Sequence, residues 1–314
     1  MLLELLRANS PLILDGAMGT ELQRRGTDTG LPMWSANALI ARPDVVLQIH
    51  KDYLNAGADI ITTNTFRTTR RTMRRANLPD RSLQLTRTAV ELAQRAREEC
   101  DNNSVLVAGS IAPLEDCYRP DLVPPDNDLR DEHTEIAERL SAAGVDFLLL
   151  ETMNTIREAY AACEAAKKTG KEVVVSFVCN HCGELLSGES LSDAVKALAP
   201  LQPSAFSINC VSPRFLNAAL KNLQSAIGPS FGRGLVPTVV GTDNLQSSFS
   251  FGIYGNIGVP ESRLHGWEFT HDTTPDQYAL HARDWHRLGA SIIGGCCGTT
   301  PEYIAGVAGV LGKL

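Results

Sequence analysis

The stretch Asp146-Phe147-Leu148-Leu149-Leu150-Glu151 is an apolar run that ends on a single carboxylate. Such a run predicts a β-strand covered on both faces, because a strand with one solvated face would alternate apolar and polar residues. The next segment, Ile156–Lys168, has apolar residues at helical spacing, and Glu172–Cys179 is again rich in β-formers. A strand, a helix and a second strand in this order predict a βαβ unit with parallel strands.

The same alternation runs through the whole chain. Strands are predicted at Leu12–Ala17, Asp59–Thr65, Val105–Ile111, Asp146–Glu151, Glu172–Cys179, Ala205–Cys210, Phe249–Asn256 and Ser291–Cys296. Helices are predicted at Val45–Asn55, Leu83–Glu99, Leu129–Ala143, Ile156–Lys168, Leu191–Leu198, Phe215–Ile227, Pro275–Leu288 and Pro301–Leu311. Eight β–α units favour an α/β fold of the (β/α)₈ TIM-barrel type, with residues 1–314 as a single domain. A doubly wound open sheet is the alternative.

Composition narrows the class of protein. The chain has 314 residues, 43% of them hydrophobic and 21% charged, with a formal net charge of −7. These values are typical of a globular protein with a sizeable core, and the acidic balance argues against a nucleic-acid or membrane-surface partner. We find no export signal and no membrane span in the sequence, so a cytoplasmic location with reduced thiols is expected.

Three of the eight cysteines stand at predicted strand ends. Cys210 closes the sixth strand, while Cys296 and Cys297 close the eighth within Gly294-Gly295-Cys296-Cys297-Gly298. The carboxyl ends of barrel strands share one rim, so the three thiols are expected to converge there. Three thiolates would hold Zn²⁺ with one position open, as in catalytic sites. Buried packing thiols or a vicinal disulfide remain alternatives.

The stretch from Gly294 to Pro301 resembles the zinc signature of the homocysteine S-methyltransferases. Further segments resemble motifs of this family in the expected order, over nearly the whole chain: 15–22, 57–66, 109–113, 150–152 and 208–210. The resemblance implies a (β/α)₈ barrel in which Cys210, Cys296 and Cys297 bind zinc. It also implies that Asp15, Gly16 and Glu151 hold the amino-acid end of homocysteine.

Simple chemistry agrees with these substrate residues. A zwitterionic amino acid needs a carboxylate near its ammonium group and backbone N–H groups near its carboxylate. Asp15 precedes Gly16 in the first predicted strand, and Glu151 ends the fourth, so both are expected on the active rim. An ordinary turn residue at Asp15 and a structural ion pair at Glu151 are the alternatives.

The sequence departs from the family pattern on the side of the site that takes the methyl donor. Tyr254-Gly255-Asn256-Ile257-Gly258 resembles a family motif whose asparagine is a labile fourth zinc ligand, so Asn256 is the candidate here. Gly255 replaces the proline of that motif, and Thr152 stands where the betaine enzymes have a tyrosine. The segment Gly228–Ser248 is an additional Gly/Ser-rich stretch.

Cys179-Asn180-His181-Cys182 is a C-x-x-C motif that invites a second metal or redox assignment. Since the fifth strand neighbours the sixth, the pair is expected near the three-thiol site. A fourth protein thiolate, however, would close the position that the substrate needs. We therefore predict proximity without ligation.

The sequence thus predicts a zinc-dependent transfer of a methyl group to the thiol of homocysteine, forming methionine. S-methylmethionine or S-adenosylmethionine is the first candidate donor, and a betaine-type ammonium compound is the second. The predicted partners are small molecules, with no nucleic acid and no membrane. A zinc hydrolase or aldolase on the same barrel and a non-catalytic thiol redox sensor are the alternatives.

Overall fold

A computed structural model describes residues 1–8, 10–227, 249–260, 267–268 and 273–313. Its main feature is a parallel sheet of eight strands in the order β1-β10-β7-β6-β5-β4-β3-β2. The strands of this sheet are β1 Leu12–Ile13, β2 Ile60–Thr62, β3 Leu106–Ile111, β4 Phe147–Met153, β5 Glu172–Phe177, β6 Ala205–Asn209, β7 Ser250–Gly255 and β10 Ile292–Gly295. A separate antiparallel pair joins β8 Val259–Pro260 to β9 Trp267–Glu268.

The sheet closes into a barrel between its first and second strands. Leu14, just after β1, forms a parallel bridge with Ile60. Two backbone bonds seal the join: the N–H of Asp15 donates to the carbonyl of Ile60 at 2.9 Å, and that of Asp59 to the carbonyl of Ile13 at 2.8 Å. The prediction of a (β/α)₈ TIM barrel is confirmed.

Helices surround the barrel and follow its strands. Within the described ranges they are α1 Leu2–Arg7, α2 Met18–Arg24, α3 Ala38–Ala41, α4 Pro43–Asn55, α5 Arg70–Arg75, α6 Ser82–Glu99, α7 Asp126–Ala142, α8 Ile156–Lys168, α9 Leu191–Leu198, α10 Pro213–Ile227, α11 Pro275–Arg287 and α12 Pro301–Val310. Local sequence sets several of their starts. Thr155 caps α8 by accepting a bond from the N–H of Glu158, and Thr274 forms a capping box with Gln277 at the start of α11.

Two packing layers result. The outer layer lies between the strands and the helices, with members such as Phe177, Phe206 and Phe251. The inner layer fills the barrel, and it includes Leu2 and Leu6 of α1 beside Phe147. Alternate strand residues face opposite sides of the sheet, which divides the apolar residues between the two layers.

Helix α1 is held against the amino-terminal end of β5. The Glu172 carboxylate accepts bonds from the N–H groups of Leu2 and Leu3, both at 2.8 Å. Since Glu172 is the first residue of its strand, α1 covers the end of the barrel opposite the carboxyl ends of the strands. Within the described ranges, no helix is both long and apolar enough to cross a membrane. The segment 228–248 lies outside the described residues.

The first and fourth strands, next to Asp15 and Glu151, have different bounds from the predicted ones. The first strand ends at Ile13 instead of Ala17, because the chain turns away after Leu14 and helix α2 begins at Met18. The fourth continues past Glu151 to Met153, with a register shift between Leu150 and Met153. Thr152 there has a φ of +61°, a left-handed conformation that is uncommon for a β-branched residue.

Candidate metal centre and substrate cavity

Three cysteine sulfurs meet at the carboxyl ends of β6 and β10. The Sγ atoms of Cys210, Cys296 and Cys297 lie within 4.8 Å of one another. The sulfurs of Cys210 and Cys297 are 3.9 Å apart. The structure therefore brings together the three thiols that the sequence predicted to converge, and their spacing is suited to a shared metal ion.

The chain after β10 turns so that adjacent cysteines can share one site. The N–H of Cys296 donates to the carbonyl of Gly255 at 2.7 Å, and the carbonyl of Cys297 accepts from the N–H of Ile257 at 2.7 Å. Gly298 has a φ of +85°, and a Cβ there would lie 1.7 Å from the carbonyl oxygen of Ile257. This position therefore requires glycine, and its turn takes the backbone out of strand geometry.

Cys210 reaches the same point by a strained backbone. Its φ is +53°, and it directly follows the last residue of β6. A left-handed non-glycine residue costs about 1–3 kcal/mol and persists only where its surroundings impose it. The N–H of Cys210 donates to the carbonyl of Tyr254 at 3.3 Å, which ties it to β7.

The pKa values of the thiols are shifted in different directions. Hydrogen bonds from the Cys210 and Cys297 thiols lower the pKa of Cys296, and the Asn209 amide adds a contact to its sulfur at 3.8 Å. The same hydrogen bonding to Cys296 raises the pKa of Cys210, and burial adds to the effect. One thiolate therefore forms readily, while the full set of three needs a bound cation. Three sulfur donors suit a thiophilic metal ion.

Asp15 lies buried just beyond β1 and is bound to the next strand. Its carboxylate accepts bonds from the N–H of Thr62 at 2.7 Å and from the Thr62 hydroxyl at 2.9 Å. Burial raises the pKa of Asp15 to about 7, although the Thr62 bonds work in the opposite direction. Gly16 follows in a tight space, since a Cβ there would lie 2.8 Å from both Thr299 and Tyr53.

Glu151 lies in β4, and its carboxylate accepts a bond from the Ser110 hydroxyl of β3. Burial, followed by the negative charges of Cys296 and Asp15, raises the pKa of Glu151 to about 8. Within the described part of the chain, no Lys, Arg or His nitrogen lies within 4.0 Å of either the Asp15 or the Glu151 carboxylate. Two buried carboxyl groups without a cation make a site that suits a positively charged ligand.

One cavity of about 920 Å³ joins these groups. This is near the upper end of the range of about 300–1,000 Å³ for ligand pockets, so it can hold two molecules of amino-acid size. It is lined by Asp15, Gly16, Glu151, Cys210, Cys296 and Cys297, and also by Cys117 and Tyr118, which lie near enough to the cysteines for the Cys296 charge to raise the pKa of both. The rest of its lining, here called the outer wall, includes Trp34, Phe66, Arg67 and Arg119.

Sequence reasoning had assigned no role to Thr62 or Ser110, the hydrogen-bond partners of the two carboxylates. Their signal was available, because each is a polar residue in a buried strand next to the one that carries the carboxylate. The other aromatic residues of the cavity could not be predicted from the sequence, for a different reason. Phe66 and Tyr118 lie on connecting segments, and Trp34 begins a four-residue 3-10 helix; the course of such segments does not follow from strand and helix periodicity.

Asn256 lies just after β7 and is buried, at 7% exposure. Its N–H donates to the carbonyl of Val211, the residue after Cys210, at 3.1 Å. Its side-chain Oδ1 is buried and has no hydrogen-bond partner among the described residues. A buried amide oxygen without a partner is costly, which leaves it available as a ligand atom.

The C-x-x-C motif follows β5, and Cys179 stands two residues after Phe177, which pairs with Ile208, two residues before Cys210. Cys179 belongs to the outer layer between barrel and helices and forms a bridge with Leu185. Cys182 is exposed. Cys210 and Cys296, in contrast, belong to the inner layer. The three-thiol group includes neither Cys179 nor Cys182.

Known proteins resemble this chain over nearly its whole length. A family profile described as homocysteine S-methyltransferase matches residues 12–311. Homocysteine S-methyltransferase of Escherichia coli K12 is 32% identical, with 94% of this chain and 93% of that protein covered. Homocysteine S-methyltransferase 1 of Zea mays is 30% identical, covering 97% and 95%.

A solved structure is also similar. The homocysteine methyltransferase MmuM from E. coli, in its metallated form, aligns with a TM-score of 0.80 at 29% identity and covers 98% of both chains. The profile spans nearly the entire sequence, and the matched residues include the barrel strands and the three cysteines. The protein described here is therefore a member of the homocysteine S-methyltransferase family.

Proposed function

We propose that this protein transfers a methyl group from an onium donor to the thiol of homocysteine, forming methionine, with one zinc ion held by Cys210, Cys296 and Cys297. The observation that carries the proposal is the cavity in which these thiols and two cation-free carboxyl groups meet. A thiol acceptor with an ammonium group at its other end matches both features.

The donor set supports zinc. A tetrahedral ion with Zn–S bonds of about 2.3 Å separates its sulfurs by about 3.8 Å. The Cys210–Cys297 separation of 3.9 Å is close to this value. Zinc bound by three thiolates leaves one position open and would supply a stabilised acceptor thiolate at neutral pH. The E. coli relative of similar fold has been solved in a metallated form.

Asp15, Gly16 and Glu151 are proposed to bind the amino-acid end of homocysteine. The substrate ammonium would provide the cation that the Asp15 and Glu151 carboxyl groups lack. Backbone at Gly16 would approach the substrate carboxylate closely, because this residue has no side chain to prevent it. Holding both ends fixes the direction of the thiol toward the cysteine cluster and lowers the entropic cost of reaction.

Asn256 is proposed as a labile ligand that occupies the fourth metal position until the acceptor thiol displaces it. Its buried and unpartnered Oδ1 supports this role. The backbone bond to Val211 holds it beside the Cys210 segment.

The donor is proposed to be a sulfonium or ammonium compound. Trp34 and Tyr118 line the cavity, and aromatic faces attract onium cations. S-methylmethionine or S-adenosylmethionine is the first choice, and a betaine-type donor is the second. The transferred methyl group leaves an onium centre for a thiolate, so charge is neutralised as the bond forms.

Two measurements on protein purified under reducing conditions test the proposal. Elemental analysis should give one zinc per chain, and a screen of these donors with homocysteine should yield methionine with at least one of them. Zinc-free protein in which the thiols only cycle between reduced and oxidised forms would indicate a redox sensor. A zinc-loaded protein that transfers no methyl group but cleaves a bond in another substrate would indicate the hydrolase or aldolase alternative.

A further inference from the structure

Arg67 brings a positive charge to the wall of the cavity. It follows Phe66 in the loop after β2, and its guanidinium carbon lies 5.4 Å from the centre of the Phe66 ring. The Nη1 atom of Arg67 donates to the carbonyl oxygen of Glu115, in the loop after β3, at 3.0 Å. The two contacts anchor the guanidinium between neighbouring loops.

The other arginines of the cavity wall are already neutralised. Arg75 forms an ion pair with Glu115, and Arg119 pairs with Asp121 at 2.6 Å. For Arg67, no carboxylate among the described residues lies within 4.0 Å of its guanidinium. A guanidinium has five N–H donors in a fork that matches a carboxylate, and one bond to a carbonyl leaves most of them free.

The loop that holds Arg67 is itself firmly fixed. The Glu115 carboxylate pairs with both Arg71 and Arg75, and Arg71 also pairs with Glu132 at 2.6 Å. Glu115 is 8% exposed, so these bonds are poorly screened by water. The carbonyl that positions Arg67 therefore belongs to a rigid segment, and little ordering is needed when a ligand binds.

We propose that Arg67 binds the carboxylate of the methyl donor, so that the enzyme prefers donors that carry an onium group and a carboxylate in one molecule. This inference rests on the proposed function, since it assigns part of the same cavity to the second substrate. Trp34 and Tyr118, the other aromatic side chains of the cavity, would face the onium centre, while Arg67, which lies over the Phe66 ring, would pair with the acid group.

The acceptor is a less suitable partner for Arg67. The groups assigned to homocysteine, Asp15 and Glu151, lie at or next to the strand ends, beside the cysteine cluster. Arg67 lies beyond the end of β2, on a loop anchored to another loop. Arg67 is therefore assigned to the second molecule in the cavity and not to the acceptor.

Matched donors and variants test the assignment. The donors are S-methylmethionine against its methyl ester and betaine against choline, because each pair keeps the onium group while one member lacks the carboxylate. The variants are Arg67→Met, Arg67→Lys and Arg74→Met. Arg74 is a matched control, since it is exposed on α5 and does not line the cavity. Donor affinity is measured by calorimetry on zinc-loaded protein without homocysteine, and KM for each substrate is measured separately.

In Arg67→Met, affinity for the better carboxylate donor should fall about 10- to 150-fold, the loss for a hydrogen bond to a charged group of about 1.5–3 kcal/mol. Affinity for the ester or alcohol partner should stay the same, as should KM for homocysteine. Arg67→Lys should restore part of the loss, and Arg74→Met should behave like the wild type.

An equal loss for acid and ester would overturn the proposal, as would a wild type that shows no preference for the acid. A rise in homocysteine KM with unchanged donor affinity would move Arg67 to the acceptor. These results are separate from the proposed function. A wild type that binds carboxylate donors but transfers no methyl group would refute the reaction and leave the subsite standing.

Discussion

Replacing Glu151 by Gln should weaken homocysteine binding in a way that depends on pH. Gln keeps the size and the hydrogen-bonding capacity of the side chain but has no charge at any pH. Glu151 is proposed to meet the substrate ammonium, so the variant loses a charge-assisted hydrogen bond of about 1.5–3 kcal/mol. The dissociation constant should rise about 10- to 150-fold when the wild-type carboxyl is ionised.

The pH dependence follows from the raised pKa of about 8 for Glu151 in the substrate-free protein. Below that pH, the wild-type carboxyl is largely protonated and must release its proton before it can pair with the ammonium. The ratio of the variant's dissociation constant to that of the wild type should therefore be small near pH 6. It should increase by up to about tenfold per pH unit and become constant above about pH 8.

Homocysteine titrations by calorimetry at pH 6, 7, 8 and 9 measure this ratio. Taking the ratio removes the contribution of the substrate thiol, which is common to both proteins. Zinc content should be unchanged. A ratio that stays the same from pH 6 to pH 9, or an unchanged affinity at pH 9, would refute the assigned role.

Thermal unfolding of the substrate-free proteins provides the folding control. The pKa of Glu151 is raised in the folded state from the value of 4.5 for a free carboxyl. The stability that this group contributes is therefore complete below about pH 4.5 and is lost as the pH rises through about 8. Because Gln avoids burying a charge, the variant should be at least as stable as the wild type at pH 8.

Three further predictions concern the thiols and Asn256. Cys297→Ser should lose most of its zinc and its methyl transfer activity, because two thiolates and a hydroxyl hold the ion less well; full zinc occupancy by elemental analysis would refute the assignment. The Cys179→Ser, Cys182→Ser double variant should keep one zinc and a substantial part of its activity, since neither residue belongs to the three-thiol group; loss of stoichiometric zinc would show that the ligands were assigned wrongly. Asn256→Ala should keep its zinc but change the metal coordination of the substrate-free protein, as measured by X-ray absorption with and without homocysteine; identical spectra in variant and wild type would exclude ligation by Asn256.

Much of the fold could be predicted because it depends on short-range patterns. Buried parallel strands need continuous apolar runs, and every predicted barrel strand has a counterpart in the structure. The convergence of Cys210 with Cys296 and Cys297 followed from topology, which places strand ends on one rim. Although Cys210 is far from Cys296 and Cys297 in the sequence, their positions at strand ends were enough to predict that they meet.

The remaining features depend on the tertiary structure. Cys210 and Thr152 adopt left-handed backbones that their residue types disfavour, so local propensity could not reveal them. The short helices α2 and α5 are too brief for a reliable periodic signal. Arg67 looks like an ordinary surface arginine in the sequence, and its place in the cavity wall depends on how two loops meet.

Helix α1 has a kinetic consequence for the proposed reaction. Leu2 and Leu6 fill the amino-terminal end of the barrel and close it. Both ligands must therefore enter from the end formed by the carboxyl ends of the strands. With homocysteine at the inner groups and the donor at the outer wall, a donor that arrives first would stand in the path of the acceptor. A single entrance therefore favours an ordered productive pathway in which homocysteine binds before the donor, while a donor that binds to the homocysteine-free protein forms a dead-end complex.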